Sequence, residues 1–258
     1  MMKQYGFLLS WLLVVLWVSG VSAERFVQFF SEAKLLRLTI DGTVQSSRSD
    51  VLGNRIDVHN DFGFDDTTGI AGRMGLVLHR RHEVGIDVRR HEWSQDSIFS
   101  TSIRFGGLEF SPNLPVSSSL RLQSIGLFYG YRLLEGDSGF FSLRPGVQIA
   151  DYKVEIERIG ILGIRQETVD DSARVIVPSL EVAGEYYLHS LLALKGEIGG
   201  GWGDDRKILI LQPMLKVTPY PHVSVLVGYT HIWHENDADD DWLDVTLSGL
   251  TFGAHILW

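Results

Sequence analysis

Residues 242–258, WLDVTLSGLTFGAHILW, decide the fold. Counted backwards, Trp258, Ile256, Ala254, Phe252 and Leu250 fall on one face; Leu257, His255, Gly253, Thr251 and Gly249 fall on the other. A period of two marks a strand, because successive side chains point to opposite sides of the pleat. One face is bulky and apolar, the other small or polar, and the stretch closes on an aromatic. Such an apolar face is satisfied where hydrocarbon covers it, as on the outside of a membrane-spanning barrel strand.

The same alternation recurs upstream. Ten strand-like segments are predicted, beginning with Ala33–Gln45, Thr68–Leu78, Val84–Arg104, Val116–Leu134 and Phe140–Glu157. Arg174–Leu188, a strand through Leu192–Ile198, another through Leu209–Val217, Val223–Thr230 and the final stretch complete the set. Short connections (79–83, 135–138, 189–190, 218–222) alternate with long polar ones (46–67, 105–115, 159–172, 201–206, 234–241). Short turns on one side, long loops on the other and an even strand count describe an antiparallel up-and-down transmembrane β-barrel. An eight-stranded barrel with one hairpin wholly outside the membrane is the alternative. About 9–11 residues cross a bilayer as a strand, so the outer halves of the Val84–Leu134 hairpin, with their SQDSIFSTS and SPNLPVSSS composition, should project into water.

At the amino end, Lys3 precedes the apolar run Phe7–Val18 and then Val21-Ser22-Ala23. A positive start, an apolar core and small residues predict a signal peptide over 1–23, with one barrel domain over 24–258. The run is shorter than the roughly 20 apolar residues of a spanning helix. With Lys3 removed, 22 basic residues face 32 acidic ones, a formal charge of −10 that argues against nucleic acid as a partner. Cysteine is absent, so disulfides contribute nothing to the fold.

The chain resembles the small outer-membrane β-barrel proteins of Gram-negative bacteria. Within them it is similar to an uncharacterised group with an acidic first loop like IDVHNDFGFDD (56–66). That group also carries a hairpin stretch like RFGGLEFSPNLPVSSSL (104–120) and a GEYYL segment (184–188). The likeness covers the mature chain and implies fold and location; it carries over no functional residues.

Placing the apolar face outside puts Arg37, Asp41, Arg73, Asp87, Arg89, Arg144, Glu181, Glu185, Lys195, Glu197, Lys216 and His255 in the lumen. Both signs occur, as a low-dielectric interior requires. Side chains fill barrels of about eight strands, whereas open channels need about sixteen, so a plug of ion pairs with little conductance is expected. Outward aromatics Tyr129, Tyr131, Tyr186, Tyr229, Trp233, Trp242, Phe252 and Trp258 predict interfacial girdles.

Enzyme readings are weaker. Asp57 and His59, with Asp61, Asp65 and Asp66 nearby, could form a protease couple at the barrel mouth; His231, Thr246, Ser248 and Asp244 could form a lipid-hydrolysing set. The acidic loops could hold a divalent cation through oxygen ligands, but neither has an EF-hand spacing. No cofactor, no metal and no catalytic role are therefore expected. A function in membrane architecture, surface interaction or slow passage of a small solute is expected instead. The expected partners are outer-membrane lipid, lipopolysaccharide and, through the last strand, the barrel assembly machinery, around a monomer.

Overall fold

The computed structural model describes residues 27–47, 52–159, 165–203, 205–238 and 241–258. The expected signal peptide lies outside them. Thirteen strands follow in order: β1 (Val27–Gln45), β2 (Ile56–Asp57), β3 (Thr67–Leu78), β4 (His82–Ile98), β5 (Ile103–Phe105), β6 (Leu108–Phe110) and β7 (Pro115–Gly136). The remainder are β8 (Gly139–Ile159), β9 (Arg165–His189), β10 (Leu192–Gly203), β11 (Arg206–Tyr220), β12 (Val223–Ala238) and β13 (Asp241–Leu257). Eleven of them form one antiparallel sheet: ten run in the order β1-β3-β4-β7-β8-β9-β10-β11-β12-β13, and the two-residue β2 pairs with the end of β1. β13 then pairs with β1 from Phe30↔Leu257 to Gln45↔Trp242, which closes the barrel and excludes the eight-stranded alternative. Closure removes the free edges that hydrocarbon cannot satisfy.

The short-turn end is tightly made. His79 and Arg80 both take positive φ (50° and 63°), the geometry of a two-residue hairpin turn, and Arg81 N donates to Leu78 O at 3.1 Å. Between β11 and β12, Pro221 fixes one turn residue and His222 (φ 72°) supplies the left-handed one.

β1 shows how the barrel is divided along its height. Its outward face carries Val27, Phe29 and Leu35, then Arg37, Thr39 and Asp41; its inward face carries Glu32 and Lys34, then Leu36, Leu38 and Ile40. The alternation never slips, yet the chemistry of the two faces exchanges between Leu35 and Leu36. Other strands do the same: on β7 Leu127 and Ile125 outside give way to Gln123 and Arg121, while Leu122 and Leu120 turn inward. Below the exchange the exterior is an apolar belt, spanning about the 9–11 residues of a membrane crossing. Above it the barrel is a water-facing head with an apolar core, as in a soluble β protein.

Two expectations are corrected here. Arg37 and Asp41 do not enter the lumen: Arg37 is outside, paired with Asp66 at 3.1 Å. An apolar-outside rule fails once water replaces lipid on the outer face. Within the polar segments 159–172, 201–206 and 234–241, the described residues are also largely strand, because a strand with a polar outer face in water has the composition of a loop.

The head has two walls. β4 rises beyond its last partner on β3 (Arg90↔Ile70) to Ile98, and β9 beyond its last partner on β10 (Ser179↔Gly201) to Arg165, so β4, β7, β8 and β9 stand as one sheet. β12, β13 and β1 form the facing one. Between them lie Leu120, Ile156 and Val175 from the first wall and Leu38, Ile232 and Val245 from the second.

Candidate functional site

In the lower half, inward positions of eight strands place charged side chains close together. Glu197 on β10 accepts from Arg73 on β3 (2.9 Å) and from Lys34 on β1 (3.2 Å), and Lys195 stands 3.1 Å away. Glu181 on β9 accepts from Arg73 (2.6 Å) and Arg144 (2.7 Å). Glu83 on β4 accepts from Arg144 and Arg132, each at 2.7 Å. Lys195 donates to Glu32, which also lies 2.6 Å from Lys34; Lys216 donates to Glu185 at 2.8 Å. Arg89 donates to Asp87 at 3.1 Å, and Gln212 takes Lys34 and passes on to Thr230 at 2.8 Å. The ring of Phe128 lies beneath both Arg73 and Arg144, 5.2 and 5.6 Å from its centroid.

The structure thus brings together Arg73, Asp87, Arg89, Arg144, Glu181, Glu185, Lys195, Glu197 and Lys216. His255 lines the cavity just below them. Sequence reasoning missed Glu32, Lys34, Glu83 and Arg132. Glu32 lies just before the expected start of the first strand, and extending the alternation back by one residue would have found it. Seven cations (Lys34, Arg73, Arg89, Arg132, Arg144, Lys195, Lys216) stand against six carboxylates (Glu32, Glu83, Asp87, Glu181, Glu185, Glu197), so the cluster is nearly neutral. An unpaired ion there would cost several kcal/mol, on the order of 3–5 where one partner is deleted. Little space remains: the cavity at the short-turn end holds about 90 Å³ and those above it about 30 and 10 Å³.

Above this layer the bore is closed again by apolar packing. Ile56, Val58, Phe62 and Phe64 from the first loop and Ile103, Phe105 and Phe110 around β5–β6 fold in between the walls and are buried. Phe62 packs on Phe64 (5.2 Å between centroids) and on Phe99 (6.2 Å). Between the layers sit His91, 3% exposed with neither ring nitrogen hydrogen-bonded, and His234, whose Nδ1 is 3.3 Å from the Tyr152 hydroxyl. Burial, with the positive Arg89 nearby, pushes His91 down to about 4; burial, His91 and Arg89 push His234 down to about 3. Both imidazoles are neutral near pH 7.

The residues of the two enzyme candidates make local contacts. The Asp57 carboxylate accepts from the backbone N of His59 (2.9 Å) and Asn60 (2.8 Å). Burial would raise its pKa, but these bonds outweigh it and hold it below the usual carboxylate range. Asp61 accepts from Asp57 N, and His59 Nδ1 lies 3.0 Å from Phe64 O, so the group braces the loop that carries Phe62. His231 and Ser248 do stand opposite each other on β12 and β13, on the outer face. Asp244, however, is taken by Trp233 Nε1 at 2.9 Å. Among the described residues no three His, Cys, Asp or Glu side chains converge as a metal site would require.

Of the aromatics, Tyr129 and Tyr131 flank the β3–β4 turn, and the Tyr129 hydroxyl lies 2.7 Å from His82 Nδ1. Tyr186 and Trp258 sit at the same short-turn end. Tyr229 and Trp233 bracket the upper edge of the belt. Trp242 is a correction. It pairs with Gln45 and Asp237 at the far tip, eight residues beyond the belt residue Leu250, and Arg55 stacks on it at 4.6 Å. It belongs to the head rather than to a girdle, because the strand runs on past the membrane.

No protein-family model matches the chain, and no curated protein matches its sequence. Among solved structures it is similar to the outer membrane protease OmpT from Escherichia coli, with a TM-score of 0.60 at 10% identity over 90% of this chain and 97% of that one. More distant are the transport unit of the autotransporter AIDA-I from Escherichia coli (TM-score 0.44, 9% identity, 98% and 96% covered) and Ail of Yersinia pestis (0.37, 9%, 90% and 99%). At such identity the likeness concerns the fold alone: the chain folds as a ten-stranded outer-membrane β-barrel.

Proposed function

We propose that the protein is a closed barrel of the bacterial outer membrane, non-enzymatic, whose working part is the extracellular head. The observation that carries this reading is the double filling of the bore, by the ion-pair layer around Glu197 and then by the apolar layer around Phe62. Membrane architecture or surface interaction fits such a barrel better than solute passage. Its surroundings are outer-membrane lipid and lipopolysaccharide, and β13, which closes the ring, is the element offered to the assembly machinery. The protein acts as a monomer in this reading.

Liposome swelling with graded solutes and planar-bilayer recording test it. Swelling no faster than in protein-free liposomes is expected; steady large conductance steps would sink the proposal. A hydrolase reading rests on His231 standing opposite Ser248. A change in lipid A mass on expression that disappears with His231→Ala would favour it.

A further inference from the structure

Four neighbouring strands carry a cationic patch on their outer face immediately above the belt. Pairing aligns Arg90 (β4), Gln123 (β7), Asp151 (β8) and Arg174 (β9) in one row, and Glu92, Arg121, Lys153 and Ser172 in the row above. Arg90, Arg121, Lys153 and Arg174 give four positive charges against two carboxylates in those rows. The next row outward, Ser94, Ser119, Glu155 and Asp170, carries acids alone. Positive charge is therefore concentrated next to the membrane and negative charge away from it.

Arg90 and Arg174 are exposed, Arg121 and Lys153 half-buried, and each is shared with a carboxylate: Glu92 takes Arg90 (2.7 Å) and Arg121 (2.9 Å), Asp151 takes Arg174 (2.6 Å), and Lys153 lies 3.1 Å from Glu155. Surface pairs of this kind contribute little, so a doubly charged phosphate group can compete for the same cations. A surface groove of about 380 Å³ opens over the patch, between Arg121, Asp151, Lys153 and Arg174. Directly below, the outward residues of the same strands are Val88, Ile125, Ile149 and Ile176, of which Val88, Ile125 and Ile176 are exposed. Elsewhere at this height the outer face among the described residues carries Thr39, Thr68, Ser248 and His231, with the single pairs Arg37–Asp66 and Lys207–Glu235.

We propose that this sector is a binding site for one outer-leaflet glycolipid, its phosphate groups held by Arg90, Arg121, Lys153 and Arg174 and its acyl chains laid on Val88, Ile125 and Ile176. The apolar wall beneath the cations selects a lipid over free phosphate. Guanidinium groups match phosphate oxygens in a bidentate fork, which suits three of the four positions.

The test uses the refolded barrel in detergent micelles, with binding of bisphosphorylated hexa-acyl lipid A measured by native mass spectrometry. Retention of the heat-modifiable gel shift confirms that each variant is folded. The variant Arg90→Gln/Arg121→Gln/Lys153→Gln/Arg174→Gln is expected to lose at least tenfold in affinity. Arg37→Gln, at the same height on another sector, is expected to bind as the native chain does. Millimolar inorganic phosphate is expected not to compete. Binding by the quadruple variant within twofold of native, an equal loss in Arg37→Gln, or competition by inorganic phosphate would each overturn the site.

Discussion

Arg73 and Glu197 stand on strands five places apart around a ring of ten, and their 2.9 Å bond crosses the full width of the lumen. Glu197 is only 2% exposed and also faces Lys34, Lys195 and, at 3.9 Å, Arg144, so it is the negative centre of four cations. Replacing it with Ala leaves Lys34 and Lys195 to share Glu32, and Arg73 and Arg144 to share Glu181, with one more uncompensated positive charge in a medium that solvates it poorly. Glu197→Ala is expected to lower the unfolding free energy by about 3–5 kcal/mol, the cost of breaking a buried pair from one side. Urea unfolding in lipid vesicles reads this directly. A loss below about 1 kcal/mol, the value of an exposed pair, would mean that water fills this layer.

Acid should loosen the head by a separate route. His91 and His234 have folded pKa values pushed down to about 4 and about 3, against an unfolded value near 6.5. Between pH 6.5 and about 4 the unfolded chain binds these protons and the folded chain does not, so stability falls as pH falls through that window. The expected loss is on the order of a few kcal/mol. Hydrogen exchange of β4 and β12 amides from pH 7.5 to 4.5 should show it, and His91→Leu/His234→Phe should flatten the slope. An unchanged slope in that variant would assign the acid response elsewhere.

How much of this was legible in the sequence follows from what alternation can say. Period two, ten strands and the direction of their hairpins come from local order alone. So does most of the lumen set, because from β3 to β13 the apolar face within the membrane is unambiguous. Arg37 was misplaced because Leu36, Leu38 and Ile40 look the same whether lipid or a protein core covers them. Only the height of the segment decides, and height is set by closure of the ring. Pairings such as Arg73 with Glu197 were illegible for the same reason: they join strands over a hundred residues apart across the bore.

The two closures of the bore should be separable. Phe62 is wholly buried against Phe64 and Phe99, so Phe62→Ala is expected to cost about 3–5 kcal/mol within the head. Proteolysis of the first loop should accelerate accordingly. Conductance should stay at baseline, since the ion-pair layer beneath is untouched. A variant that became leaky in planar bilayers would show that the apolar layer alone seals the barrel.

The boundary between the two solvents can be located on β7 by moving one charge along its outer face. Leu127 is 60% exposed within the belt, and Ser119 lies eight residues further along the same face, above Gln123 and Arg121. Lipid cannot solvate a guanidinium, so Leu127→Arg should destabilise the barrel by about 2 kcal/mol, the lower end of the 2–4 kcal/mol cost of a midplane site, because the long side chain can reach toward the interface. At Ser119 water already covers the face, and Ser119→Arg should change stability by less than about 0.5 kcal/mol. Folding free energies in phospholipid vesicles measure both. Equal costs at the two positions would mean that the belt extends to Ser119. The polar rows from Gln123 upward would then lie in hydrocarbon, and the division of the barrel into membrane and head could not stand.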